Sequence, residues 1–198
     1  MFYSLNLITA PAIEPVTLLE AKNHLRIMPD DAIPDDEIES IVSVAREKIE
    51  NEVSRALITQ TWEAVSGAFP WSLDCPIELE LPPLQSVTSV KYIDINGAGQ
   101  TWDSSLYQVN NKSTPGFILP ISGESYPDTD DAINAVTIEF VAGYGDEAID
   151  VPSPVRHAMK LIIGELYSRR EEALVGATIT TVPLSVSNLI SPYKIVHF

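Results

Sequence analysis

The spacing of apolar positions changes period twice along the chain, and these changes divide it into three stretches. In the first, Leu18, Ala21 and Leu25 share one face of a helix predicted over about residues 17–27. Thr17 followed three residues later by Glu20 is a capping box, which satisfies free N–H groups at a helix start. An acidic linker, Pro29 to Pro34, leads into a second helix. There Ile38, Ile41, Val42, Ala45, Ile49, Val53 and Ala56 recur every three or four residues. Asp35, Asp36 and Glu37 occupy its first turn, where negative charge complements the helix dipole. Arg46–Glu50 and Lys48–Glu52 read as i,i+4 pairs on its wet side, each adding about 0.2–0.5 kcal/mol.

From Thr59 the period falls to two. Thr59 to Ser66, Ile77 to Leu81, Val87 to Ile95, Thr101-Trp102, Leu106 to Val109, Phe117 to Leu119 and Ala135 to Val141 read as short strands. Asn96-Gly97 is a hairpin-turn signal and Pro115-Gly116 marks a further turn. The third stretch returns to the helical period over residues 153–171, with Val155, Ala158, Met159, Ile162, Ile163, Leu166 and Tyr167 on one stripe. Ser153 is the expected N-cap with Pro154 at the first helical position, and Gly164 at mid-helix suggests a close helix crossing. About one helical turn is expected in the tail after Val182. Neither early helix buries its stripe alone, and the third carries the matching one. The pattern predicts an α+β fold: a discontinuous helical domain of about three main helices, residues 1–57 plus 150–198, with a mainly antiparallel β-domain inserted at 58–149.

Composition narrows the function classes. The 198 residues are 45% hydrophobic, enough for a buried core. Twelve Lys and Arg stand against 28 Asp and Glu, a net charge of −16, with a pI near 4.3. A general nucleic-acid binder needs a basic surface to displace counterions, so that class is excluded, although a surface that DNA slides past is not. One cysteine, Cys75, cannot form an intramolecular disulfide. The first ten residues lack a basic segment, and no apolar run approaches the roughly 18 residues of a spanning helix, so neither export nor membrane attachment is expected.

Candidate chemistry is sparse. His24, His157 and His197 are far apart in sequence and form no H-x-x-x-H or H-x-H pair, so no metal centre is expected. The cluster beginning at Asp128 fails as a calcium loop, because Ala132 and Ile133 stand where a ligand and the turn glycine belong. The sequon at Asn111 has no secretion signal to give it meaning. Paired carboxylates at Asp30-Asp31 and Asp35-Asp36-Glu37 lack the apolar neighbours that raise a catalytic pKa. There is no nucleotide-binding or nucleophile motif, and no enzyme and no cofactor are expected. Arg156, Lys160, Arg169 and Arg170 form the basic cluster of the last long helix. They fit either a solvated face or a contact with an acidic neighbour such as another copy of the chain. Trp62, Trp71, Trp102 and Tyr107 could instead form an aromatic β-face for host carbohydrate, though core packing is the usual role.

The order of several blocks resembles the head–tail connector (neck adaptor) family of tailed bacteriophages, prophages and gene transfer agents. Pro15-Val16-Thr17-Leu18-Leu19-Glu20-Ala21-Lys22-Asn23-His24-Leu25-Arg26 is similar to the family opening P-v-S/T-L-x-E-A-K-x-H-L-R. Arg55 to Trp62 resembles its R-x-L-x-x-Q-T-W, Val141 to Gly145 its x-A-G-Y-G, and Ser191 to Lys194 its x-P-Y-K/R. Leu81 to Val87 fits L-P-x-x-P-L-x-S-V in part, since Pro83 meets Leu84 without a spacer, and the loop from Pro120 to Ala132 is long and acidic.

The resemblance implies a structural virion protein without catalytic activity. It would form a ring of about twelve subunits that joins the portal protein to the next neck or tail-completion (stopper) protein and extends the DNA channel. The virion neck is then its location, with assembly in the host bacterial cytoplasm, and the isolated chain is expected to be monomeric. DNA would pass through without specific binding. The portal-gripping residues would be Pro192, Tyr193, Lys194, Ile195, Val196 and Phe198, in a tail expected to order only on its partner. Arg156, Lys160, Arg169 and Arg170 would serve the subunit interface. Asp35, Asp36, Glu37 and Glu39 would face the channel. A different tail-completion or neck protein, and a glycan-binding β-module, are the alternatives.

Overall fold

The computed structural model describes residues 4–28, 31, 33–72, 75–169 and 184–195. The fold is α+β, and the chain divides into two compact units. One comprises Met1–Pro11 with Thr59–Tyr144, the other Ala12–Ile58 with Gly145–Phe198.

The first unit is built on β-strands, all of them paired antiparallel. Strand β1, Ser4–Thr9, pairs with β2, Gln60–Ser66, from Ser4↔Val65 to Thr9↔Thr61. The expected boundary assigned residues 1–57 to the helices, and β1 corrects it. This edge strand is exposed at almost every position, so it leaves no alternation of buried and exposed residues to read. Strands β3 (Ile77–Leu79), β4 (Leu84–Ile93), β5 (Gly99–Thr101), β6 (Tyr107–Asn110), β7 (Gly116–Pro120) and β8 (Val136–Ala142) complete the unit. They form a five-stranded sheet ordered β1-β2-β8-β4-β5 and a three-stranded sheet ordered β3-β7-β6.

β8 lies between β2 and β4, and its alternating Val136, Ile138, Phe140 and Ala142 are buried as the period-2 pattern requires. The Asn96-Gly97 signal holds. Gly97 has φ +78°, and Asp94 Oδ1 accepts from the Asn96 and Ala98 amides at 2.9 and 3.0 Å. Gly116 marks a close approach of β7 to β4, because a Cβ there would lie 2.5 Å from Leu84 Cβ. Phe69, Tyr92, Trp102, Tyr107 and Tyr126 form a connected aromatic cluster with ring centroids 4.8–5.7 Å apart.

The second unit holds four α-helices among the described residues. They are α1 (Leu18–Leu25), α2 (Asp35–Val53), α3 (Ser153–Ser168) and α4 (Leu184–Ile190). Thr17 caps α1 with the complete capping box: its hydroxyl accepts from the Glu20 amide, and Glu20 Oε2 accepts from the Thr17 amide. Helix α2 stops at Ser54, which adopts φ +54° and donates its amide to the Glu50 carbonyl. The cap of α3 is Pro152 and not Ser153; the proline has no amide to leave unpaired, and Ser153 is already helical. α4 is longer than the single turn expected. Buried Ile38, Val42, Ala45, Ile49 and Val53 of α2 meet buried Val155, Ala158, Met159, Ile162 and Ile163 of α3. Val186 and Ile190 of α4 are buried against α3 as well.

Arg46 departs from the expected wet side of α2, with only 7% of its surface exposed. Its Nε donates to Glu14 Oε2 at 2.9 Å and its Nη1 to Glu50 Oε2 at 2.6 Å, while Glu50 Oε1 accepts the Leu57 amide at 2.9 Å. One guanidinium therefore joins the approach to α1, the body of α2 and the chain leaving α2. Burial pulls its pKa down, but Glu50 and then Glu14 outweigh that and hold it above the ordinary value.

Gly164, within α3, and Gly116, which opens β7, differ in consequence. At Gly164 a Cβ would sit 3.6 Å from His24 Nε2, an ordinary contact, so the α1–α3 crossing has room for a methyl group. Gly164→Ala is expected to raise stability by ~1 kcal/mol through helix propensity, whereas Gly116→Ala, forced into Leu84, lowers it by ~1–3 kcal/mol. Thermal denaturation of the two variants checks both signs.

Candidate functional site

The structure places the candidate residues in three local settings. In the first, Glu20 carries two roles. While it completes the cap of α1, its carboxylate accepts both contacts of Arg156 Nη2, at 2.7 and 2.9 Å, and Lys160 Nζ at 3.2 Å. Arg156 Nε also donates to the Pro15 carbonyl at 2.8 Å. Two of the four residues of the expected basic cluster thus have their charge engaged inside their own chain. Arg169 lies 3.5 Å from Glu165 one turn earlier, and Arg170 lies outside the described residues. The sequence reading missed this because Glu20 looked fully occupied by its cap.

Burial raises the Glu20 pKa, but the Thr17 amide bond and then the Lys160 and Arg156 contacts outweigh it, leaving the carboxyl below its ordinary value. Beside this clamp, His24 is held below the usual histidine range, first by burial and then by the charges of His157 and Lys160. Two histidines distant in sequence are thus brought within electrostatic reach. No group of three or more His, Cys, Asp or Glu among the described residues is placed to hold a metal ion.

The second setting is the acidic start of α2. Asp35 pairs with Lys22 of α1. Asp36 accepts the Glu37 amide at 3.0 Å and is exposed, as is Glu39. Glu39 borders a cavity of about 480 Å³ whose other walls include Ile13, Leu18 and Val42.

The third setting is the tail. The expectation that it lacks partners in its own chain does not hold for residues 191–195. The Ile195 amide donates to the Val53 carbonyl at 3.1 Å, Arg55 Nε donates to the Tyr193 carbonyl at 2.6 Å, and Lys194 pairs with Glu52. The carbonyls and carboxylates at the end of α2 hold the tail, with Arg55, which follows the helix, as its anchor. Pro192 remains exposed, and Tyr193, Lys194 and Ile195 are half-buried; Val196 and Phe198 lie outside the described residues. The motif that begins at Arg55 gives no sign of this contact, because its partner Tyr193 lies far along the chain.

In the β unit, the aromatic face considered for carbohydrate does not form from the four residues proposed. Trp102 and Tyr107 are buried in the aromatic cluster and Trp62 is half-buried in β2; only Trp71 is fully presented, at 92% exposure. Tyr126 donates its hydroxyl to the Cys75 carbonyl at 3.0 Å, and its pKa is pushed up to about 12, chiefly by burial and then by Cys75. Glu139, which would be the twelfth position of a calcium loop counted from Asp128, stands within strand β8 and not in a helix.

No helix of the described residues is long and apolar enough to cross a membrane. No protein-family model matches the chain. No curated protein matches it. Solved structures do. A chain from the virion of a native gene transfer agent particle aligns with TM-score 0.79 and 23% identity, over 98% of this chain and 96% of that one. A chain from the neck of an empty particle of this kind, computed with C6 symmetry, gives TM-score 0.80 and 23% identity, covering 98% and 97%. One from the neck of a native particle, computed with C12 symmetry, gives 0.76 and 21%, again covering 98% and 97%. The whole chain, both units included, therefore has the fold of these particle chains.

Two outcomes follow from the clamp and the tail. Glu20, with its folded pKa lowered, contributes stability that is present above the ordinary carboxylate range and is lost as pH falls through the folded value. His24, also lowered, stays neutral in the fold while the unfolded chain takes up its proton first, so stability starts to fall below about pH 6.5. Chemical denaturation between about pH 7 and pH 3 is expected to lose its upper limb in His24→Gln and its lower limb in Glu20→Gln. For the tail, Arg55→Ala or removal of residues 191–198 is expected to lower stability by about 1–2 kcal/mol in thermal melts. An unchanged melting temperature would mean that the docked segment contributes nothing to the fold.

Proposed function

We propose that this protein is a structural, non-catalytic neck component of a phage-like particle. In this reading it is a head–tail connector that forms a ring of about twelve subunits between the portal protein and the next neck or tail-completion protein. The observation that carries the reading is end-to-end likeness of fold to chains of gene transfer agent neck structures, over 98% of the sequence. The ordered motif resemblance from Pro15 to Lys194 supports it independently.

Charge supports a channel role. Lys22, Arg46, Arg55, Arg156, Lys160, Arg169 and Lys194, seven of the 12 Lys and Arg, are engaged by groups of their own chain, in a protein whose net charge is −16. A ring of such subunits repels DNA from its lumen and leaves the genome free to move. Asp36, Glu37 and Glu39 are the proposed channel-facing acids, with Asp35 muted by Lys22. The exposed Pro192 and the residues that follow it, through Val196 and Phe198, are the proposed portal contact, presented on a docked base. The basic residues Arg156, Lys160, Arg169 and Arg170 are the proposed subunit contact, Arg156 and Lys160 reaching it while bound to Glu20 and Arg169 while bound to Glu165. The location is the virion neck, reached after assembly in the host cytoplasm, and the isolated chain is monomeric.

The test is light scattering coupled to size exclusion, with the chain alone and mixed with the portal protein from the same locus. The expected result is a monomer alone and a ring-stoichiometry complex with the portal. A stable monomer in every mixture would favour a different tail-completion protein.

A further inference from the structure

The β unit carries an apolar surface that its own fold leaves in water. Trp71 is 92% exposed at the rim of a cleft of about 490 Å³ that it shares with Phe69, Tyr126, Asp128 and Ile95, itself 68% exposed. Ile133 is 89% exposed at the same end of the unit: Asp130 donates its amide to the Ile93 carbonyl, Ala135 accepts from the Ile93 amide, and Ile133 lies between them.

The cleft is built before anything enters it. Phe69 stacks on Tyr126 at 5.7 Å, the Tyr126 hydroxyl is tied to Cys75, and Thr129 forms a β-bridge with Asp94. Two large apolar side chains, Trp71 and Ile95, on a braced cleft, with Ile133 exposed on the adjoining loop, match the signature of a docking surface.

Charge identifies the kind of occupant. The cleft rim and the adjoining loop carry Asp128, Asp130 and Asp131, and only Lys91 and Lys112 supply positive charge anywhere in the unit. A second copy is therefore a poor fit: it brings another −16, and most of its cations are held by its own carboxylates and carbonyls. We infer that the Trp71–Ile95–Ile133 surface docks an apolar segment flanked by Lys or Arg in a different protein of the particle. This rests on the assembly role proposed above.

The test compares the wild-type chain with Trp71→Ala and Ile95→Lys, both at exposed positions, after melts establish that the variants fold. Each is titrated by calorimetry with the purified portal protein and with the purified next neck protein, in about 0.05 and 0.5 M salt. The inference expects one of these partners to bind wild type and to lose at least tenfold in affinity to either variant. It also expects wild-type binding to weaken with salt, as carboxylate–cation contacts across a rim do. Undiminished binding by both variants overturns the docking surface while leaving the connector reading intact. Binding to neither partner by wild type overturns both. Self-association of wild type that Trp71→Ala abolishes would assign the surface to a second copy instead. A response of Trp71 fluorescence to neutral oligosaccharides, without protein binding, would make it a glycan site and equally overturn the inference.

Discussion

The helical unit depends on a carboxylate that acts in two places. Glu20 closes the cap of α1 and also receives Arg156 and Lys160 from α3, partners 136 and 140 residues away in sequence. A helix of eight residues is too short to persist on its own propensity, so α1 exists because its capped end is pinned to a longer neighbour. Arg46 repeats the device from the other side, drawing Glu14 and Glu50 onto one guanidinium so that the approach to α1 is fixed against α2. Hydrophobic stripes supply the bulk of the attraction between α2 and α3. The charge clusters tie α1 and the segment before it to these two helices.

These clamps shape the surface as well. A chain of net charge −16 that commits many of its cations to internal pairs carries an acidic excess, and such a field acts beyond contact distance. Its range is set by salt, about 8 Å at physiological ionic strength. Self-repulsion and low affinity for polyanions are then two results of one arrangement.

The sequence made the regular elements readable where burial was periodic. α2, α3 and β8 alternate or step without interruption, and the capping box of Thr17 and Glu20 has the predicted geometry. β1 escaped because an exposed edge strand has no buried face to impress on its residues. Arg46 was legible in principle, since with Val42, Ile49 and Val53 it falls on the apolar stripe, and a charge there signals a buried partner. The anchoring of the tail by Arg55 and Val53 had no local signal at all: both contacts join residues far apart in sequence, and each meets the tail at a backbone atom, which carries no residue identity. The aromatic residues divided between core and surface for the same reason. Composition alone cannot separate Trp102, packed on Tyr107, from Trp71, left in water.

The discontinuity of both units governs the order in which the molecule can be made. β1 leaves the ribosome some fifty residues before its partner β2, and β2 must wait again for β8. α1 and α2 emerge early but acquire Arg156 only when most of the chain has been translated. At about 5–20 residues per second, the early segments wait several seconds before either core can close. The nascent chain therefore spends nearly its whole synthesis unfinished, and the acidic charge that later keeps copies apart also protects that interval.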